Sequence, residues 1–373
     1  MINKKRMLKT FLELVQIDSE SRKEKKVADY IIKKIAKYKL PYKFDKSNKK
    51  TGSEIGNLII YKKFSSKSKT IVLSSHMDTV VPGLGIKPII KKNHIQSDGN
   101  TILGADDKSG LAIILEILET FAEKKIPHLN IEAAITTCEE IGLLGAKFLD
   151  YNLLKSKSGI VLDSTSPDRL VVKGPSSDYF TITVTGIEAH SGINPEKGIS
   201  SIKVSAEIIN KIKTGRIFKD TTLNIGKING GSAINIVPGR TEIQCEIRSH
   251  REKIINNILN KIKTDLMKIE KKYKKINKGF MITMKKERIY DSIDIPKNEM
   301  IIQRIIAAAK KNNFKTLPVE TGGGADANFF VKNGINTVNL GTGMREFHTK
   351  KEKLILKEFY KAAEIVFDTL VDI

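Results

Sequence analysis

Thr70-Ile71-Val72-Leu73-Ser74-Ser75 runs apolar and ends on His76-Met77-Asp78. A short apolar run rich in β-branched residues, without polar alternation, reads as a strand buried on both faces of a parallel sheet. Three further runs share the design. Residues 131–137 lead to Glu139-Glu140, residues 159–162 end at Asp163, and residues 337–340 are followed by Gly341-Thr342-Gly343 and then His348. Between the first two runs lies Leu103-Gly104-Ala105-Asp106-Asp107-Lys108-Ser109-Gly110, after which Leu111, Ile114, Leu115, Leu118 and Phe121 recur at helical spacing. An Asp at a helix start meets free N–H groups and the positive end of the helix dipole. Capping accounts for one of the two carboxylates better than for both. Strands alternating with helices imply an α/β sheet, and open α/β sheets bind ligands beyond the carboxyl ends of their strands.

Outward from that core, residues 3–17 and 22–38 carry helical periodicity, with a turn at Asp18-Ser19-Glu20-Ser21 between them. Strands are expected at 42–44 and 57–61, and a helix containing Gly142 after the Glu pair. Residues 178–287 follow another logic: strand 179–185, helix 199–212, strands 222–228 and 241–247, a Lys-rich amphipathic helix 253–273, and strand 280–286. That β-α-β-β-α-β order is the ferredoxin-like pattern, and helices at 296–312 and 353–370 return the chain to the first domain. The expected architecture is a mixed, mostly parallel sheet with helices on both faces, spanning 1–174 and 292–373, interrupted by an inserted α+β lid domain at 175–291.

With 373 residues, 40% of them hydrophobic, the chain has ample core for this plan. No stretch approaches the roughly 18 to 20 apolar residues that span a bilayer, and no signal-peptide pattern stands at the N-terminus, so no membrane partner is expected. Cys138 and Cys245 lie far apart in apolar runs, as buried thiols of a reducing compartment do, which points to the cytoplasm. The net charge of +23 comes from scattered lysines. Without an arginine-rich run, Trp or an aromatic RNA-binding pattern, it reads as a solvated surface and not as a nucleic-acid partner.

The strand ends gather His76, Asp78, Asp106, Asp107, Glu139, Glu140, Asp163 and His348. Imidazoles and carboxylates suit zinc, and a shared carboxylate suits two ions about 3.5 to 4 Å apart. In His-x-Asp, an imidazole that ligates through one nitrogen needs a carboxylate on the other to fix its tautomer. Four apolar runs converging on such residues are hard to reproduce with surface charge.

The motifs Ser75-His76-Met77-Asp78, Gly104-Ala105-Asp106-Asp107-Lys108-Ser109-Gly110, Cys138-Glu139-Glu140-Ile141-Gly142 and Ala189-His190-Ser191-Gly192 resemble those of the co-catalytic zinc metallopeptidases, which include aminoacylase, glutamate carboxypeptidase and peptidase T. The Gly-Ala-Asp-Asp-Lys form and Asp163 are most similar to the peptidase T-like branch, although the interval from His76 to Asp106 is shorter than in peptidase T itself. The resemblance implies two zinc ions per chain, with cobalt or manganese as substitutes. Asp106 would bridge them, His76 and Asp163 would complete one and Glu140 and His348 the other. Glu139 would be the general base and Asp78 would orient His76. A cis peptide after Asp106 is implied as well. The resemblance also implies substrate-binding positions for His190, Asn235, Arg248 and Gly323, the last in a triple-glycine turn. The implied activity is a cytoplasmic exopeptidase acting on short peptides, of the tripeptide aminopeptidase type, and the lid domain allows a homodimer. A deacylase acting on N-acyl amino acids through the same metals is the alternative; a non-catalytic basic binding protein is a more distant one. His94, His128 and His250 read as structural, Lys108 as ion-paired or solvated, and Cys138 as core.

Overall fold

The computed structural model describes residues 2–371, and the chain divides into two compact units. The first comprises Met1–Lys173, Asp294–Glu320 and Ala325–Ile373; the second comprises Gly174–Ile293 with Thr321–Gly324. The four apolar runs of the first unit become Thr70–His76, Asn130–Thr136, Ser158–Ser164 and Asn336–Gly341. They are adjacent in one mixed sheet that also takes Tyr42–Phe44, Leu58–Lys62, Arg169–Gly174 and Leu317–Glu320. Thr70–His76 pairs in parallel with Asn130–Thr136 and with Ser158–Ser164, and Ser158–Ser164 pairs in parallel with Asn336–Gly341. Leu58–Lys62 joins antiparallel, so the sheet is mostly but not wholly parallel.

Helix Ala105–Glu123 packs against Thr70–His76 and Ser158–Ser164 and is buried from Ala105 to Phe121. A helix so enclosed can keep acidic residues only if they are paired. Arg6 supplies the partner: its Nε lies 2.7 Å from Glu116 and 2.9 Å from Glu119, tying the N-terminal helix Lys4–Val15 to this one. Lys108 departs from both sequence readings. It is fully buried and its Nζ donates to the carbonyls of Leu14 and Ile17, each at 3.2 Å, where the first helix ends.

The second unit is a five-stranded antiparallel sheet in the order Gly215–Phe218, Thr221–Gly230, Arg240–Ser249, Ser176–Thr185, Met281–Tyr290, with helices Ser201–Lys211 and Glu252–Lys274. The long helix buries Ile255, Leu259, Ile262, Leu266 and Ile269, a stripe at three- and four-residue spacing. Each such side chain contributes about 1.5–3 kcal/mol by leaving water, which overrides the surplus of lysine on its outer face. Phe180, Ile182 and Val184 alternate inward from the sheet to meet that stripe. The edge strand Gly215–Phe218 is additional to the β-α-β-β-α-β order.

Two further local differences have physical causes. The helix expected to contain Gly142 begins only at Leu144 and is four residues long, because Cys138, Gly142 and Leu143 all have positive φ and the chain turns through them. Residues 353–370 open with a strand, Lys353–Ile355, which joins Ile89–Ile90, His94–Gln96 and Met344–Arg345 in a small antiparallel sheet before helix Leu356–Leu370. Among the described residues no helix is long and apolar enough to cross a membrane.

Candidate metal centre

Each of the four central strands delivers its chemistry at or beyond its carboxyl end. His76 closes Thr70–His76, and Asp163 is the next-to-last residue of strand Ser158–Ser164. Asp163 is held there by exchange with Asn339: its N–H donates to Asn339 Oδ1 at 3.1 Å, and Asn339 Nδ2 donates to its carbonyl at 2.6 Å. Glu139 and Glu140 follow Asn130–Thr136, and His348 lies farther beyond Asn336–Gly341, after the short strand Met344–Arg345.

Asp106 stands at the middle. Its Oδ1 is 3.0 Å from His76 Nε2 and its Oδ2 is 3.2 Å from His348 Nε2. His348 Nε2 also lies 2.8 Å from Glu140 Oε2. His76, Asp106 and Glu140 bring one ligand atom each within 4.8 Å of one another, and so do His76, Asp107 and Asp163. The peptide bond between Asp106 and Asp107 is cis. Both residues have non-helical backbone angles, so the regular helix starts after them. Asp107 caps it, its Oδ1 accepting from Gly110 N at 3.2 Å. The capping reading therefore holds for one member of the pair, and Asp106 is left to face the histidines.

Asp78 does more than face His76. The His76 Nδ1 partner at 2.9 Å is the Asp78 carbonyl, with the carboxylate farther off at 3.5 Å. That carboxylate accepts instead from Glu139 N at 2.9 Å, Glu140 N at 3.2 Å and Ser21 Oγ at 2.6 Å. One buried Asp thus sets the turn that sends the two adjacent glutamates in different directions.

Two acidic residues near this point went unnoticed in the sequence. Glu352 is buried and accepts from the backbone N–H groups of Leu103 and Gly104 through Oε2 and of Asp106 through Oε1. Asp326 is buried, takes the Thr136 hydroxyl on Oδ2 and leaves Oδ1 without a hydrogen bond. Gly324-Ala325-Asp326 repeats the Gly104-Ala105-Asp106 pattern at a helix start, which was the available signal for it. Glu352 sits in a polar turn and gave none.

Burial pushes Glu139, Asp107, Asp163 and Glu140 upward, and repulsion from neighbouring carboxylates, Asp106 acting on all four, adds to the effect. Burial acts the same way on Asp106, but hydrogen bonds from His348 and His76 outweigh it and hold its carboxyl well below the usual range. His348 is raised to about 10 by its hydrogen bonds to Asp106 and Glu140. The chain alone therefore concentrates more carboxylates than two imidazoles can neutralise. Glu140 Oε1 and Asp107 Oδ2 are buried without a hydrogen-bond partner. Unpaired buried anions are costly unless they are protonated or meet cations. The donors are hard oxygens and imidazoles, and one carboxylate is split between two histidines. That set fits a pair of divalent ions.

The remaining motif residues belong to the second unit. His190 is exposed and its Nδ1 accepts from Gly192 N at 3.1 Å. Asn235 is exposed, and its carbonyl takes Ser191 N at 3.1 Å. Arg248, in strand Arg240–Ser249, has its Nε 2.9 Å from Glu246. In the triple-glycine turn, Gly323 N lies 3.2 Å from Thr321 Oγ1, and a Cβ on Gly324 would collide with the Tyr290 ring. His128 is buried and stacked on Phe121, and Cys138 and Cys245 are buried free thiols.

Comparison with known proteins places this geometry in a family. Residues 176–274 match the M20 peptidase dimerisation domain, residues 57–185 match peptidase family M28, and residues 260–365 match M42 glutamyl aminopeptidase. The chain is similar to the crystal structure of aminopeptidase PepT from Bacillus cereus, at 38% identity and TM-score 0.89, covering 99% of this chain and 98% of that one. It is also similar to a tripeptidase from Staphylococcus aureus, at 35% identity and TM-score 0.91 over the same shares of the two chains. A Bacillus subtilis protein, YqjE, is 37% identical over 98% of both chains.

Proposed function

As the chain belongs to the peptidase T-like branch of the M20 metallopeptidases, we propose that it removes the N-terminal residue from short peptides, tripeptides first among them, at a two-zinc centre. The observation that supports this reading most is the Asp106 carboxylate, whose two oxygens face two different imidazoles. His76 and Asp163 would hold one ion, Glu140 and His348 the other, and Asp106 both. Zinc is proposed because the donors are imidazoles and carboxylates in a buried site, with no thiolate among them. Bound ions there would polarise the scissile carbonyl and acidify the attacking water.

The chain's own part is proton transfer and orientation. Glu139 is fixed through its backbone N–H by Asp78. Its carboxylate takes a proton from the attacking water and returns it to the leaving amide nitrogen. Burial and neighbouring carboxylates raise its proton affinity, and the charge of bound cations would pull it back, so the two effects would oppose each other. That opposition suits a group that must both accept and release a proton. His190, Asn235, Arg248 and Gly323 are proposed as substrate-binding residues on their motif positions: His190 as a donor to the developing oxyanion, and Arg248 as a bidentate partner of the peptide carboxylate. A homodimer through the second unit is proposed from the dimerisation-domain match at 176–274. A cytoplasmic location is proposed from the two free thiols.

The test is a substrate panel of di-, tri- and tetrapeptides with free or blocked amino groups, together with N-acyl amino acids. The expected result is cleavage of free-amine tripeptides with release of the first residue. Hydrolysis confined to N-acyl amino acids would replace the peptidase reading with the deacylase one.

A further inference from the structure

Glu352 stands four residues beyond His348 and immediately before the strand Lys353–Ile355. The chain reaches it through a tight turn: Lys351 N donates to Thr349 Oγ1 at 3.2 Å, and Glu352 N donates to the Thr349 carbonyl at 3.1 Å. Its side chain is 1% exposed. The carboxylate is spent entirely on one loop, the one that presents Asp106. Leu103 N and Gly104 N both donate to Oε2 at 2.8 Å, and Asp106 N donates to Oε1 at 3.0 Å.

Three consequences follow from that geometry. Successive backbone N–H groups converging on one anion form a nest, which fixes the backbone that makes it. Gly104 has φ +72, the left-handed conformation that turns its N–H to the same side as that of Leu103. Three backbone N–H groups of one loop also share this single carboxylate as acceptor, and a buried N–H left without a partner is costly, so the loop has few alternatives while the carboxylate is present. Finally, Glu352 is close in sequence to His348 and close in space to Asp106, which joins the loops carrying two of the proposed ligands. Nothing in the proton-transfer chemistry uses it.

We propose that Glu352 is a positioning residue for the metal centre: by holding the backbone of residues 103–106 in place, it aims the Asp106 carboxylate so that its two oxygens serve two ions at once. The inference rests on the metal reading given above. Removing such a support costs about 10–100-fold in metal affinity or activity in well-studied metal sites.

The test compares wild type, E352A and E352Q, each stripped of metal and titrated with zinc by competition against a chromophoric chelator, without peptide present. Glutamine keeps the volume but offers one acceptor oxygen, so its amide N–H₂ must face at least one backbone N–H. The expected result is two ions bound by wild type, weakening of one or both by about 10–100-fold in E352A, and a smaller weakening in E352Q. The visible spectrum of the cobalt-loaded enzyme should change shape in both variants, and kcat should fall with little change in KM. Wild-type affinities and an unaltered cobalt spectrum in folded E352A overturn the proposal. If E352A does not fold, E352Q decides by the same criteria. Failure of wild type itself to bind ions removes the metal reading and this inference together, whereas uptake equal in wild type and variants removes this inference alone.

Discussion

In the first unit Asp78 and Glu352 are buried, and each accepts three hydrogen bonds, while Asp106 is shared between His76 and His348. In the second unit His190 and Asn235 are exposed and make few contacts beyond their own turns. The first set is placed by the chain itself: burying so much charge leaves each carboxylate little freedom, because every donor must be accounted for. The second set has no such constraint, and its geometry is left to whatever it binds. Substitutions in the first unit should therefore act on proton transfer and metal, and those in the second on contacts to the substrate, in the ground state for Arg248 and in the transition state for His190.

The largest effect is expected at Glu139. E139Q should lower kcat by about 10²–10⁴-fold with metal content unchanged, measured by steady-state hydrolysis and elemental analysis of the same sample. A variant with wild-type kcat would leave the buried cluster without its base.

Lys108 offers a thermodynamic version of the same contrast. Burial lowers its pKa from 10.5 to about 7, against the attraction of Asp78, Asp18 and Glu352. Between those values the unfolded chain binds a proton that the folded chain does not, so this group makes stability rise with pH across that window, by up to about 1.4 kcal/mol per pH unit. K108M should flatten the rise, read from urea unfolding of wild type and variant at pH 7 and pH 9. Identical slopes would mean that Lys108 does not titrate from a buried position.

D78N keeps the volume but gives up one of the oxygens that hold the Glu139-Glu140 turn. It should cost about 10–100-fold in kcat or metal affinity. The smallest effect is expected in the second unit. R248A should raise KM at least about tenfold, the low end for charged hydrogen bonds to the peptide carboxylate, with kcat nearly unchanged. Peptide amides, which lack the terminal carboxylate, should be insensitive to it. A kcat effect as large as that of D78N would erase the distinction between the two units.

The sequence made the strands and the residues at their ends readable because both signals are local: a dense apolar run marks the strand, and a His, Asp or Glu just past it marks the end. The alternation at 179–185 and the stripe of the long helix were readable for the same reason. What escaped depends on long-range contacts or on exposure. Glu352 finds its partner Leu103 across 249 positions, and nothing in a polar turn announces that. The edge strand Gly215–Phe218 and the small sheet around Lys353–Ile355 are two to four residues per strand, too short for periodicity to register. The segment around Gly142 is a turn and not the expected helix because φ is positive at Cys138, Gly142 and Leu143. Lys108 reads from the sequence as ion-paired or solvated, and it is neither, because its acceptors are backbone carbonyls at the end of another helix.

The central claim is that Asp106 joins two ions. The most direct measurement is a calorimetric zinc titration of the metal-stripped chain and of its D106N variant. The account predicts two ions per wild-type chain and loss or marked weakening of binding at both positions in the variant. No uptake by wild type, or equal uptake by D106N, would contradict it.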